Sequence, residues 1–381
     1  MKKVIFAFLL FCSVGVVSAQ HLAHDDIRIS LLTADPGEDI YAVFGHSAIR
    51  VKIDVLGYDV VFNYGTIDFN QPYFYINFAY GKMWYYLSMS SYERFMSSYM
   101  FENRGIREQV FALDSAQTFY MVRFLEKNYL PENRYYFYNF FLDNCATRIR
   151  DIIYNVYLDS DIPATFETPC YRELIHRYLR QHPWGRFGID IALGLPTDQR
   201  TNLYEQMFLP DFLFDAFSQT LNSGNPIISE TNVLYKADPS NPAQKPPGLI
   251  TPLIVCSFVL FLALLFMFVQ KGAVVFDFIL FFSVGLTGLL VVFLWFFTQH
   301  VFTANNLNII WALPTHTAMA FFLFQKRFSH LVGKYFLSTA IIAMLLLFAW
   351  VFLPQKLNPS LIPLVVAIAL RAYRNSRRVK L

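Results

Sequence analysis

From residue 249 onward the chain changes character. Apolar runs at 249–269, 273–297, 307–324 and 335–353 are broken only by short polar stretches, and a shorter run follows at 361–372. About 20 apolar residues cross a bilayer, so the first four runs predict membrane spans and the fifth is marginal by length. The fixed cations decide the fifth. Lys271 lies between the first and second runs, and Lys326, Arg327 and Lys334 lie between the third and fourth. Arg371, Arg374, Arg377, Arg378 and Lys380 end the last, whereas the connections 298–306 and 354–360 hold only Lys356. Cations collect on the cytoplasmic side. Five spans satisfy that rule and four do not. The polar half of the chain is then extracytoplasmic, and the basic tail 374–381 is cytoplasmic.

Before the membrane pattern the periodicity is that of a folded domain, 20–235. Segments 41–53 and 58–64 are rich in Val, Ile, Phe and Tyr with Gly57 between them, which predicts a β-hairpin. After about residue 91 helical spacing dominates, at 91–100, 115–128, 145–157, 171–181 and 210–221, with Pro210 suited to a first helical turn. The expected fold class is α+β, followed by an all-α bundle of about five transmembrane helices. The stretch 236–248 is short, polar and Pro-rich, a linker that keeps the domain close to the membrane. The first residues are Met1-Lys2-Lys3, an apolar run and Val17-Ser18-Ala19-Gln20, the layout of a secretory signal cleaved after Ala19. An uncleaved anchor is the alternative. Bulky Phe11 before Cys12 argues against a lipoprotein signal.

Composition narrows the class. At 381 residues the chain exceeds one ordinary domain, and 41 residues are Phe. A formal charge of +3, dispersed along the chain, gives no reason to expect nucleic acid. No Cys/His/carboxylate cluster has metal spacing, so neither a metal nor a cofactor is expected.

The candidate chemistry lies at Asp143-Asn144-Cys145-Ala146-Thr147-Arg148-Ile149-Arg150. Asn144 is a good N-cap, and a helix N-terminus carries about half a positive charge. A thiol there, with Arg148 and Arg150 a turn away, is expected to ionise easily. A thiol nucleophile needs a base, and the base needs a third group to fix its tautomer. His46, in the strand-like Phe44-Gly45-His46-Ser47-Ala48, is the candidate base, and Asn63 on the next strand is the candidate orienting group. The Cys145 N–H and the helix N-terminus could hold an oxyanion. Blander readings stand beside these. Cys145 and Cys170 could form a disulfide in an oxidising compartment, while Cys256 reads as a packing residue in an apolar helix. His46 could be a structural hydrogen bonder, and Asn63 could satisfy backbone groups in a turn. His176 and His182 fall in polar helical surroundings, and His21 and His24 at the mature N-terminus.

The expected substrate-contacting residues are Asn144, Arg148, Tyr64, His300, Asn305 and Asn308. The last three belong, with Asn306, to a loop on the extracytoplasmic face. That loop could hold a phosphate headgroup, or it could cap and bridge helices, because polar groups at membrane depth must find partners. His316 could bond a carbonyl freed by Pro314, and Asp277 reads as structural.

The order of His on a strand, a polar residue on the next strand, then Asn-Cys opening a helix resembles the permuted NlpC/P60 papain-like fold, the lecithin:retinol acyltransferase-like group. The stretches Phe44 to Val51, Phe62-Asn63-Tyr64-Gly65 and Asp143 to Asp151 resemble the signature of a Bacteroidota family of Lnb-type lipoprotein N-acyltransferases. So do Phe187-Gly188-Ile189-Asp190, Leu193-Gly194, Phe208-Leu209-Pro210-Asp211 and Asn305-Asn306-Leu307-Asn308-Ile309-Ile310-Trp311 with Pro314. The resemblance spans nearly the whole chain. It implies transfer of an acyl chain from a phospholipid to Cys145 as a thioester, then to the N-terminal amine of a lipoprotein diacylglyceryl-cysteine. The implied partners are a phospholipid donor, a lipoprotein N-terminus and the membrane. The implied location is the inner membrane, multi-pass, with the catalytic domain in the periplasm. Aromatic stretches such as Tyr73-Phe74-Tyr75 and Trp84-Tyr85-Tyr86 suit contact with acyl chains or a membrane interface. Two other classes remain open. An NlpC/P60-like cysteine hydrolase acting on cell-wall peptides or lipids explains Cys145 and His46 but not five spans. A non-enzymatic scaffold makes Cys145 incidental.

Overall fold

The computed structural model of the protein describes residues 26–69, 71–158, 160–161, 168–240 and 248–377. The expected signal peptide with its cleavage point, His21, His24, residues 241–247 of the linker, and Arg378 and Lys380 lie outside the described residues.

Seven strands form one antiparallel sheet. They are β1 (Ile27–Ala34), β2 (His46–Ile53), β3 (Tyr58–Ile67), β4 (Trp84–Ser91), β5 (Ile106–Phe111), β6 (Tyr135–Phe137) and β7 (Ile228–Tyr235), in the order β7-β5-β1-β2-β3-β4-β6. The expected hairpin is present. Ile49 stands opposite Phe62 and Ile53 opposite Tyr58, with Gly57 in the turn. Its first strand begins only at His46, because hydrogen bonds from Ala42 to Asp39 and from Gly45 to Ala42 fold the preceding residues into turns. The sequence pattern does not mark β1, β4, β5 and β7. β1 is buried on both faces, so its side chains do not alternate in polarity. β5 carries Glu108, which is buried because Ser30 and Arg50 bond it at 2.7 and 3.0 Å.

Helices cover both faces. One face takes α4 (Cys145–Val156), whose Ile149, Ile152, Ile153 and Val156 recur at helical spacing and pack on Ile29, Leu31, Ile49, Val51 and Phe62. The other takes the helix Tyr92–Phe101, with Phe95 and Met96 against Leu32, Ala48 and Val61. Each fully buried side chain of this kind stabilises the fold by about 1.5–3 kcal/mol. The opposed faces fix where α4 starts, and that start carries Cys145. Among the described residues, five further helices of seven residues or more precede the linker: Phe74–Tyr80, Ser115–Tyr129, Tyr171–Tyr178, Pro183–Ala192 and Pro210–Gln219. We label them in chain order: α1 (Phe74–Tyr80), α2 (Tyr92–Phe101), α3 (Ser115–Tyr129), α4, α5 (Tyr171–Tyr178), α6 (Pro183–Ala192) and α7 (Pro210–Gln219).

The second half holds α8 (Pro252–Phe268), α9 (Ala273–Phe297), α10 (Thr315–Phe322), α11 (Ser329–Ala349) and α12 (Ile362–Ser376). Two stretches, Ala273–Phe297 and Ser329–Phe352, are each long and apolar enough to cross a bilayer. The expected span at 307–324 is interrupted. A 3-10 turn, Leu307–Ile310, is followed by Pro314, and only then by α10. Asp277 on α9 is a structural partner, as its position implied. It takes a two-pronged bond from fully buried Arg371 of α12 at 2.6 and 2.9 Å. His316 does not bond a carbonyl freed by Pro314. Its Nδ1 meets the Tyr335 hydroxyl at 2.6 Å, because α11 runs directly alongside.

The two halves meet at the C-terminal end of α6. Asn306 Nδ2 donates to the Ile191 carbonyl at 2.8 Å, Asn308 Nδ2 to Asp190 at 2.9 Å and Gln355 Nε2 to Leu193 at 3.0 Å. Gly194 donates its N–H to Phe302 at 2.8 Å. Polar side chains next to apolar helices need partners, and here the sheet domain supplies them.

Candidate active site

His46 opens β2, and Asn63 lies on β3. Side chains alternate along a strand, which puts both on the sheet face covered by α2. His46 Nε2 is 2.6 Å from Asn63 Oδ1. An amide oxygen only accepts, so Nε2 donates, and the imidazole's hydrogen bond to Cys145 falls to Nδ1.

Cys145 reaches the ring from the other face, around an irregularity in β3. The β3–β4 register shifts between Asn63 and Thr66, and Gly65 there has φ +89°. A Cβ on Gly65 would stand 3.7 Å from Cys145 Cβ and 3.9 Å from His46 Cε1. Both are ordinary contact distances, so what favours glycine here is the backbone conformation, which turns β3 beside thiol and ring.

Asn144 caps α4 as its sequence position implied, accepting the N–H groups of Ala146 and Thr147 at 2.9 Å each. Burial opposes ionisation of Cys145. The charge and hydrogen bond of His46 outweigh it, helped by the N–H groups of Ser47 and Ala146, and hold the thiol below its ordinary pKa. Burial likewise opposes the imidazolium. The facing thiolate and Asn63 outweigh it and raise the His46 pKa, with Arg104 pulling the other way. Each group thus favours the charged form of the other.

Several expected residues serve differently. Arg148 does not activate the thiol. Asp143 holds its guanidinium at 2.6 and 2.8 Å over the Tyr136 ring, so its charge is already matched. Arg150 bonds Asp151 and the Tyr204 carbonyl. Tyr64 is a core residue, 1% exposed, whose hydroxyl donates to Asn128. The Asn144 amide is spent on the cap and on the carbonyls of Phe140 and Phe208. Asn308 is fully buried, bonded to Asp190, Asn306 and Trp311 Nε1. None of these three presents a free group to a substrate. Asn305 is exposed at φ +51°, while its carbonyl accepts from Leu195. His300 meets the Phe78 carbonyl through Nε2 at 3.2 Å. Cys145, Cys170 and Cys256 are all free thiols, so the disulfide alternative does not hold.

Two clefts of opposite character lie near the pair. Behind Tyr138, whose side chain feels the Cys145 charge, is an apolar cavity of about 320 Å³. Phe44, Tyr138, Phe140 and Phe141 wall it from the sheet domain, and Gln299 to Thr303 wall it from the helical half. Tyr138 stands close enough to the sulfur that a thiolate there raises its phenol pKa, after burial itself. On the His46 side is a polar cleft of about 480 Å³ lined by His46, Asn63, Ser88, Arg94, Tyr99 and Arg104. The rim of the apolar cavity continues into α1, where Tyr75, Ile76 and Phe78 are 84%, 56% and 60% exposed. The Tyr80 ring there meets Phe293 of α9 at 5.3 Å. Sequence reasoning missed Tyr99, Arg104 and the function of Gly65. The only available signal was Gly65 itself, two residues after Asn63.

Residues 18–177 match the family described as Lnb N-terminal periplasmic domain, and residues 244–380 match the Lnb transmembrane domain. The chain belongs to the Lnb family. It is a membrane protein with an extracytoplasmic domain, and Cys145, His46 and Asn63 all lie within the stretch matched to the periplasmic domain of Lnb. No protein of curated function and no solved structure matches it.

Proposed function

We propose that this Lnb-family protein is a cysteine-dependent acyltransferase. It moves an acyl chain from a phospholipid to the N-terminal amine of a lipoprotein diacylglyceryl-cysteine. One observation carries the reading: a thiol paired with an amide-anchored imidazole stands beside Tyr138, which walls an apolar cavity whose far wall belongs to the membrane half. A cell-wall peptide has no use for such a cavity. The strand and helix order around His46, Asn63 and Cys145 also supports a permuted papain-like ancestry. The placement of fixed cations supports a multi-pass protein of the inner membrane with the thiol on its outer side.

In the first step the Cys145 sulfur attacks the ester carbonyl carbon, with the acyl chain in the apolar cavity. The C–O bond breaks, His46 gives its proton to the departing oxygen, and a lysophospholipid leaves. In the second, the acceptor amine attacks the thioester carbonyl, the C–S bond breaks, and His46 takes a proton from the nitrogen. The products are an amide and the free thiolate–imidazolium pair. A thioester conserves the acyl bond energy, so no nucleotide is required. Asn63 keeps the ring turned so that Nδ1 faces the sulfur.

The test is mass spectrometry of lipoprotein N-termini in cells lacking this chain, with complementation. Loss of N-acylation, restored by the wild type but not by C145S or H46A, supports the reading, as does a hydroxylamine-labile adduct on Cys145. Unchanged N-acylation without a second copy of the activity, or release of peptide fragments with no lipid consumed, favours a hydrolase.

A further inference from the structure

We infer that the polar cleft beside His46 binds the phosphodiester of the acyl donor's headgroup, with Arg104 and Arg94 as its ligands. The inference rests on the acyltransfer reading, in which the donor is a lipid ester. It relocates the headgroup from the outer loop, where Asn306 and Asn308 are buried and committed to α6.

Arg104 lies at the base of the cleft, 5% exposed. Its Nε donates to the Asp35 carbonyl at 2.7 Å and its Nη1 to Glu102 at 2.9 Å. Its Nη2 is buried and has no partner. A buried guanidinium nitrogen without an acceptor is costly, and an incoming anionic oxygen relieves that cost. The guanidinium also lies 4.7 Å from the centroid of the Tyr99 ring, and that ring is stacked at 6.4 Å on the imidazole of His46. The three groups thus form one wall, running from the reacting pair to the unpaired donor. Arg94 lines the cleft from the exposed side of α2, with the hydroxyls of Ser90 and Ser98 nearby. Glu102 cancels one of the two arginine charges and leaves the cleft cationic.

The arrangement fits a glycerophospholipid. The scissile ester must sit at Cys145, with its chain reaching past Tyr138 into the apolar cavity that this residue lines. The phosphate is borne on the same glycerol, so it emerges past His46, where the lining turns polar and cationic. A donor without phosphate fills the apolar cavity equally well and leaves Arg104 unpaired.

The test uses the full-length protein in mixed micelles and reads acyl-enzyme formation on Cys145 by intact mass. The donors are phosphatidylglycerol and diacylglycerol with identical chains. Wild type should acylate faster from phosphatidylglycerol, and R104Q and R94A should each shrink that preference by about tenfold, the size of one charge-assisted hydrogen bond. R94A, an exposed position, keeps the test valid where R104Q fails to fold. A preference unchanged in R94A and in folded R104Q overturns the inference. So does a defect confined to transfer from preformed acyl-enzyme, which assigns the cleft to the acceptor. Millimolar inorganic phosphate separates a lipid headgroup from a free anion. The headgroup site leaves the diacylglycerol rate low, and rescue of that rate by phosphate overturns the assignment. Absence of any Cys145 adduct from either donor in wild type sinks the acyltransfer reading itself, a result separable from all of these.

Discussion

His46 Nε2 lies 2.6 Å from Asn63 Oδ1, across the two strands joined at Gly57, and this bond aims the opposite edge of the ring at Cys145. Removing the amide leaves the base present but free to turn. N63A is expected to slow Cys145 acylation about 100-fold, the low end of what positioned acid–base catalysis contributes. N63D, which still accepts from Nε2, should recover most of that loss. A carboxylate also strengthens the imidazolium, so the alkaline limb of the N63D pH profile should move up and that of N63A down. Equal rates for N63A and wild type would deny Asn63 the orienting role.

The pH response of the thiol follows from its surroundings. With His46 opposite, the Cys145 pKa is lowered and that of His46 raised, so each charge favours the other. Activity should rise as the thiol deprotonates, hold, and fall as pH passes the raised pKa of the imidazolium. In H46A the opposing charge is gone and burial remains. Burial disfavours the thiolate, so the midpoint of iodoacetamide alkylation at Cys145 should move up from its wild-type position, with the Ser47 and Ala146 N–H groups limiting the rise. A midpoint that stays where the wild type has it would show that another group ionises the sulfur.

The exposed aromatic rim on α1 should matter for lipids in bilayers and little for stability. Tyr75, Ile76 and Phe78 are mostly exposed beside the outer end of α9. Replacing all three with Ser should change folding stability by about 0.5 kcal/mol or less per site. It should lower turnover of phospholipid in nanodiscs several-fold and spare cleavage of a water-soluble thioester. Equal loss on both substrates would place the effect in the site and not in access to it.

Legibility from the sequence followed the range of the interactions. The β2–β3 hairpin and the α4 cap are local, set by Gly57 and by Asn144 with Thr147, and both could be read from short stretches. β5 could not. Its Glu108 is a strand residue only because Arg50 and Ser30, remote in the chain, accept it into the core. Whether Asn306 and Asn308 bind a ligand or bridge helices stayed open in the sequence because α6, which buries them, lies more than a hundred residues earlier. Arg148 sits where a helical turn puts it, but its neighbour Asp143 takes the charge that the thiol was expected to feel. Pairing of His46 with Asn63 could be read because both strands belong to one hairpin. The polar cleft could not, since Arg104 joins it from beyond α2.

Asp190 ties the two halves together and should set acid stability. It is 1% exposed and accepts from Arg172 at 2.9 Å, His176 at 2.7 Å and Asn358 at 2.9 Å. Burial raises its pKa, but the bond and charge of His176 and then the charge of Arg172 outweigh it and leave the pKa lowered. A lowered folded-state pKa contributes stability above the ordinary carboxylate value, and that stability is lost as pH falls through the lowered one. D190N should destabilise by about 3 kcal/mol at neutral pH, because fully buried Arg172 is left with Asp198 as its one carboxylate beside the carbonyls of Leu193 and Gly194. Thermal unfolding in detergent should show the two proteins converging in acid. A constant gap across that range would remove Asp190 as the titrating group.

Gly194 tests whether the join shapes the cavity. It follows α6 and faces the loop between α9 and α10, and a Cβ there would stand 1.9 Å from the Ala304 carbonyl oxygen and 3.0 Å from that of Thr303. Both are backbone atoms, so no side chain can swing aside, and G194A must push the loop away. That loop carries Phe302 and Thr303, which wall the apolar cavity. The cysteine, imidazole and amide are held by the sheet and by α4, which the loop does not build. G194A is therefore expected to raise KM for the lipid donor at least several-fold while Cys145 alkylates at the wild-type rate. Gly188 is the matched control. It lies within α6 with nothing inside 4 Å of its added Cβ, so G188A should stabilise the helix by about 0.4–1 kcal/mol and leave KM unchanged. If G194A and G188A behave alike, the loop does not shape the lipid site.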